Sequence, residues 1–166
     1  MTVSMEVTAR AAVVADVPAV VALVREGRAG LETQRGGALW LSRQAVPEPL
    51  EDAVTAMIAA DSACVMLGCI DAVPLGVLLA EHDLDRAAPA AVVATVRELF
   101  VVAEARGVGL GEEMMNATVD WATARGCVGI DGYALPGDRA TKNFFETFGL
   151  VARGIVVHRR LGDPPT

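Results

Sequence analysis

Two periodicities take turns along this chain: alternation of apolar and polar residues, and apolar positions three to four apart. "EVTARAA" alternates and opens as a strand; Asp16 then stands as an N-cap with Pro18 in the first turn, ahead of the helix-like "AVVALVREG". Residues 30–49, "GLETQRGGALWLSRQAVPEP", have weak periodicity and are punctuated by Gly and Pro, and a short helix follows near 50–60. The apolar runs "SACVMLGCID" and "VPLGVLLAEHD" meet at Asp71-Ala72 and predict a hairpin, and "AAVVATVRELFVV" predicts a third long strand running into a glycine-rich loop. Beyond the loop, Met114, Thr118, Trp121 and Ala122 recur at helical spacing, marking the buried face of a helix that ends near Arg125-Gly126. "CVGIDGYAL" then predicts a strand, "DRATKNFFETF" a short helix stopped by Gly149, and "LVARGIVVHRRL" a closing strand or hairpin. The expected order is β-α-α-β-β-β-α-β-α-β, an α/β (α+β) chain whose mixed sheet has a parallel pair around the helix after the glycine loop.

Composition narrows the function classes. The 166 residues fit one domain, spanning 1–166, with enough apolar content (53%) to bury a core. Asp16, Asp61, Asp71 and Glu81 interrupt every candidate apolar run well short of the roughly eighteen residues a membrane helix needs. The first residues, "MTVSMEVTAR", have no basic region followed by an apolar core, and the three cysteines, Cys64, Cys69 and Cys127, lack metal-site or CxxC spacing. Reduced, inert cysteines in a cytoplasm are therefore expected, with no membrane partner and no metal. A net charge of −7 offers no basic face for nucleic acid. It serves solubility, or it attracts a cationic small molecule.

The stretch "LFVVAEARGVGLGEEMM" raises the chemical question. A strand feeding a glycine loop that opens a helix makes an anion site, because unpaired N–H groups and the helix dipole both face the loop. An ordinary tight turn has a similar composition. A dinucleotide fingerprint fails, since Glu112 stands where the third glycine of G-x-G-x-x-G belongs, although Asp131 lies twenty residues past Gly111. No Gly-Lys-Ser/Thr follows to complete a P-loop.

These residues resemble the GNAT N-acetyltransferases, which move an acetyl group from acetyl-coenzyme A to an amine. "LFVVAEARGVGLG" is similar to that family's strand running into R-G-x-G-x-G, with Ala103 where proline is common, and "FFETFGL" echoes its aromatic-Tyr-Glu-x-x-Gly-Phe signature. The resemblance covers the chain in element order and is strongest over 96–150. It implies the acyl-CoA N-acyltransferase fold, a mostly antiparallel central sheet flanked by helices. It also implies acetyl-CoA as cosubstrate, held through the backbone of Arg106, Gly107, Val108, Gly109, Leu110 and Gly111. The ends of Leu99, Phe100 and Val101 would pair with the pantetheine arm, with Asn143 and Phe145 flanking it from the other side. Two departures stand out: Glu112 and Glu113 bring negative charge to the phosphate end, and Asp138 replaces the asparagine of many relatives.

The chemistry asks for a base. A primary amine of pKa about 10.4 is costly to neutralise at pH 7, by roughly 4.6 kcal/mol, so its deprotonation needs a carboxylate acting directly or through water. Glu98, just before the pantetheine-pairing residues, is the expected base; its other reading is a carboxylate paired with Arg97 or another surface cation. Glu81 and Asp83 are weaker alternatives, and His82 and His158 read as surface residues. The family's acid is a tyrosine at the place of Phe145, so Tyr133, the chain's one tyrosine, is the candidate acid unless it serves packing. Glu32 and Trp40 fall in the variable segment, where they would hold a cationic acceptor or anchor the loop. The expected partner is a small-molecule amine, with a homodimer allowed. The rival readings are a catalytically weak acyl-CoA-binding module and a transferase taking a longer acyl-CoA.

Overall fold

The computed structural model describes residues 5–85, 88–159 and 161–162. The elements are β1 (Val7–Ala11), α1 (Val17–Glu32), α2 (Gly37–Arg43), α3 (Leu50–Ala59), β2 (Ala63–Ile70), β3 (Val73–Asp85), β4 (Ala88–Val101), α4 (Leu110–Ala124), β5 (Gly129–Asp131) and α5 (Arg139–Thr147). The five strands lie side by side in sequence order, antiparallel except for the parallel β4–β5 pair. The chain thus has the expected mixed, mostly antiparallel α/β architecture with helices on both faces.

Alternation within the strands builds two cores. Val65, Leu67, Val77 and Leu79 face α1 and α3, where Val20, Val21, Val24, Leu50 and Val54 meet them. Cys64, Leu78, Ala80 and Val96 face the other way, onto Met114 and Met115 of α4 and Phe145 of α5. Cys64 and Cys69 are buried without disulfides, and burial pushes the Cys64 thiol up to about 11, so it stays protonated. At the hairpin, Asp71 and Ala72 both take positive φ, and the Asp71 carboxylate accepts the Glu6 N–H at 2.9 Å. Asp16 occupies the N-cap position of α1, but its carboxylate accepts from the Val13 N–H and pairs with Arg10 rather than capping the helix.

Two elements differ from expectation. The segment 30–49 contains α2, a seven-residue helix entered through Gly36 at φ 84°. Its two leading glycines and short span hide any apolar period. The strand expected over 150–161 is not in the sheet: residues 151–159 form no ladder and are exposed, while Arg160 lies outside the described residues. With only three residues, β5 offers a short edge on which to extend the sheet.

One irregularity positions everything that follows. Leu79 pairs with Glu98 but Ala80 pairs with Val96, so Arg97 is an extra residue in β4. The bulge reverses the alternation. Val96 faces α4, whereas Glu98 and Phe100, both even-numbered, face α1.

Candidate active site

The parallel β4–β5 ladder runs only from Val93–Gly129 to Thr95–Asp131. Past Thr95 the two segments part, and among the described residues β4 has no strand neighbour on that edge from Val96 to Val101. A cleft opens there with an empty volume of about 560 Å³, open solvent included. Val96, Glu98, Leu99 and Phe100 line it from β4, Val24 and Leu31 from α1, Trp40 from α2, and Tyr133, Leu135, Thr141 and Phe145 from the β5–α5 side. A strand edge left open inside a fold has unsatisfied N–H and C=O groups, and an extended ligand can satisfy them.

At one end of this edge lies the glycine loop. Gly107 and Gly109 take φ of 78° and 92°, and a Cβ built on either meets nothing within 4 Å. They are glycines because of backbone conformation, beside open space where a ligand can approach. Gly111 has a different reason: its Cβ would come within 3.2 Å of the Phe144 ring, so it permits α4 and α5 to pack. Gly109 is the N-cap of α4, whose leading N–H groups have no intrahelical partner. Leu110 is buried beneath the sheet, Val108 is exposed, and Glu112 and Glu113 are exposed in the first turn. The Arg106 side chain folds back over β4, its Nε donating to the Val101 carbonyl at 3.0 Å and its guanidinium 5.9 Å from the Phe100 ring centre.

Glu98 is the electrostatic centre of the cleft. It is 5% exposed, and its Oε1 accepts from the Val46 N–H at 3.0 Å and from Nε and Nη2 of Arg28. Arg28, itself partly buried, also donates to the Val46 carbonyl and to Glu48. Among the described residues no donor reaches Oε2. Burial pushes the Glu98 carboxyl up, and the hydrogen bond and charge of Arg28 oppose that shift without cancelling it.

The structure pairs Glu98 with the partly buried Arg28, whereas Arg97 binds the Gln44 side chain at 3.2 Å and Glu81 at 3.6 Å. Tyr133 is half exposed and lines the cleft, and Trp40 is a buried wall. Glu32 and Asn143 are exposed and do not line the cleft, while Phe145 does so from the core. Asp138 caps α5, accepting from the Thr141 N–H at 3.1 Å. His82 and Asp83 lie away from this cleft, beside Ser62 and Met57.

Sequence reasoning missed Arg28, the Val46 N–H and Leu135. Arg28 left a signal: it continues the buried stripe Val20, Val21, Val24 at helical spacing, and an arginine on such a stripe calls for a buried acid.

The model of the acetyltransferase (GNAT) family matches residues 38–150. The chain belongs to the GNAT acetyltransferases. No curated protein matches this acetyltransferase in sequence. Solved structures do match it in fold. The aminoglycoside N-acetyltransferase AAC(6')-Iy, solved with CoA, is 16% identical and covers 98% of this chain and 99% of its own, at a TM-score of 0.73. A mutant of the BH1408 protein of Bacillus halodurans is 16% identical with coverages of 92% and 99%, at a TM-score of 0.77. A ribosomal-protein-alanine N-acetyltransferase of Brucella melitensis is 13% identical, covering 96% and 100%, at a TM-score of 0.62. At these identities the likeness speaks for the fold of the acetyltransferase. None of its helices among the described residues is long and apolar enough to cross a membrane.

Proposed function

We propose that this protein is an N-acetyltransferase that moves an acetyl group from acetyl-CoA to the primary amine of a small, cationic acceptor in the cytoplasm. One observation carries the reading: the β4 edge left open beyond Thr95 and the Glu98 carboxylate border one cleft, and the same strand runs on into the glycine loop. The residues present suit the cosubstrate. Gly107 and Gly109 leave room for phosphates at the start of α4, and the backbone of Leu99, Phe100 and Val101 offers pairing groups for an amide-bearing arm. Bound acetyl-CoA supplies a thioester-activated acetyl group.

Within this reading, Glu98 accepts the amine proton at Oε2, directly or through a water, while Arg28 and the Val46 N–H hold Oε1. Burial moves the carboxyl toward neutrality, which strengthens it as a base at physiological pH. The amine nitrogen then bonds to the acetyl carbon as the carbon–sulfur bond breaks, the nitrogen gives up its second proton to solvent, and the departing thiolate takes a proton from solvent or from Tyr133. A thiol near the cysteine value of about 8.5 leaves tolerably without a dedicated acid. This accommodates the place of Phe145, where relatives carry tyrosine.

Thiol release from acetyl-CoA, measured with an amine panel and again with longer acyl-CoA donors, tests the reading. Amine-dependent release, fastest with acetyl-CoA, is expected. Tight CoA binding without release under any combination would leave a binding module instead.

A further inference from the structure

The walls of the cleft describe its acceptor. Apart from β4, its surface includes Val24 and Leu31 of α1, Trp40 of α2, and Tyr133 and Leu135 after β5. These are apolar or aromatic. The charged residues lining the cleft are Arg97, Glu98 and Asp138, and each has work of its own. Arg97 is held by Gln44 and Glu81, and Asp138 caps α5. Glu98 balances Arg28 with one oxygen, which leaves Oε2 as its remaining acceptor.

The walls also meet. A Cβ on Gly36, in the α1–α2 turn, would lie 3.4 Å from Pro136 and 3.7 Å from Leu135, so that turn touches the β5–α5 loop. An extended polypeptide end would have to part them. Away from Glu98, a second ammonium on the acceptor would meet apolar walls, the Arg97 cation and Asp138, whose Oδ1 is already taken by the Thr141 N–H at the start of α5, and desolvating a charge that is poorly paired is costly.

We propose that the acceptor is a small primary monoamine, with its single ammonium at Glu98 and an apolar body, aryl or branched alkyl, between Leu31, Trp40 and Leu135. This rests on the transferase reading above and separates the protein from transferases of polycations. Glu32, exposed and outside the lining, does not supply a second anionic subsite.

The experiment compares thiol release with 2-phenylethylamine, isopentylamine, 1,4-diaminobutane, an aminosugar and a short peptide with a free N-terminus. The monoamines should exceed the other acceptors in kcat/KM by about tenfold or more, the discrimination an apolar pocket ordinarily gives. Leu135→Glu, on a loop, and Leu31→Glu should each narrow or reverse the gap between isopentylamine and the diamine. CoA affinity by calorimetry should not change. A diamine, aminosugar or peptide equal to or better than the monoamines overturns the proposal and leaves the transferase reading standing. Unchanged selectivity in both folded variants also overturns it. No release with any amine, with CoA bound normally, removes the transferase reading and this proposal together.

Discussion

The two halves of the candidate site are built in opposite ways. The half proposed for the cosubstrate is backbone: an open strand edge, two glycines at positive φ and a helix N-terminus. The half proposed for the acceptor is side chain: Glu98 and Arg28 beneath a wall of Leu31, Trp40 and Leu135. A backbone site is specified by the absence of side chains and so leaves a regular signature in the sequence. A side-chain site depends on which faces of distant elements meet, and four separate segments supply this one.

The contrast is broken most completely by Gly109→Val. A β-branched residue at φ 92° is strained and fills the open space beside the loop. Calorimetry should find no measurable CoA binding, with circular dichroism close to wild type. Unchanged affinity in the folded variant would move the cosubstrate off this loop.

Glu98→Gln acts on the other half. The variant should keep CoA affinity and lose about 10²- to 10⁴-fold in kcat/KM near pH 7, recovering as pH approaches the amine pKa. A loss below threefold would make Glu98 structural. The same variant has a stability signature. Because burial raises the folded-state value, the native chain holds this proton more tightly than the unfolded chain does. That contribution is complete below the ordinary glutamate range and is lost as pH rises through the raised value. Melting temperature should therefore fall less over that rise in Glu98→Gln than in wild type; parallel curves would contradict the shift.

How much of this was legible in the sequence follows the same division. The Arg106–Gly111 loop, the hairpin at Asp71-Ala72 and the α4 stripe through Met114 and Thr118 could be read directly, because each is local. The bulge at Arg97 could not: "VVATVRELFVV" is apolar on both faces, so alternation there tolerates a slip unseen. Glu98 was singled out by its place ahead of the loop, but its partner Arg28 is seventy residues away and visible only once α1 lies on the sheet. The segment 151–159 carries the β-branched run Ile155 to Val157 that suits a strand, yet forms no ladder.

Arg28→Lys sharpens the acceptor half with a smaller effect. Lysine keeps the charge and loses the fork that binds Glu98, Glu48 and the Val46 carbonyl at once. If Arg28 positions the base, the acidic limb of the kcat/KM profile should move to higher pH while CoA affinity stays fixed, with a loss near pH 7 of about tenfold, one pKa unit's worth. A uniform drop without movement of the limb would assign Arg28 to folding alone. The smallest change is expected from Tyr133→Phe, half exposed on the cleft wall. Its cost in kcat should stay below about tenfold, far short of the general-acid maximum. A thousandfold loss with intact CoA affinity would make Tyr133 the acid.

The site depends on counting along β4 as well as on identity, and the extra residue is where the count has slack. Arg97 can be exchanged for another residue and Glu98 still turns toward α1. Removing the position would close the bulge and leave the faces as they are, because Val96 and Glu98 would then be consecutive residues on opposite sides of a regular strand, still across from Ala80 and Leu79. A residue lost between Leu99 and Val101 has no such slack: either the residues after it change faces or Glu98 turns into the α4 layer among Met114 and Met115. Along β4 the bulge is thus a place where one codon can be lost at small cost, and the three residues after Glu98 are where it cannot.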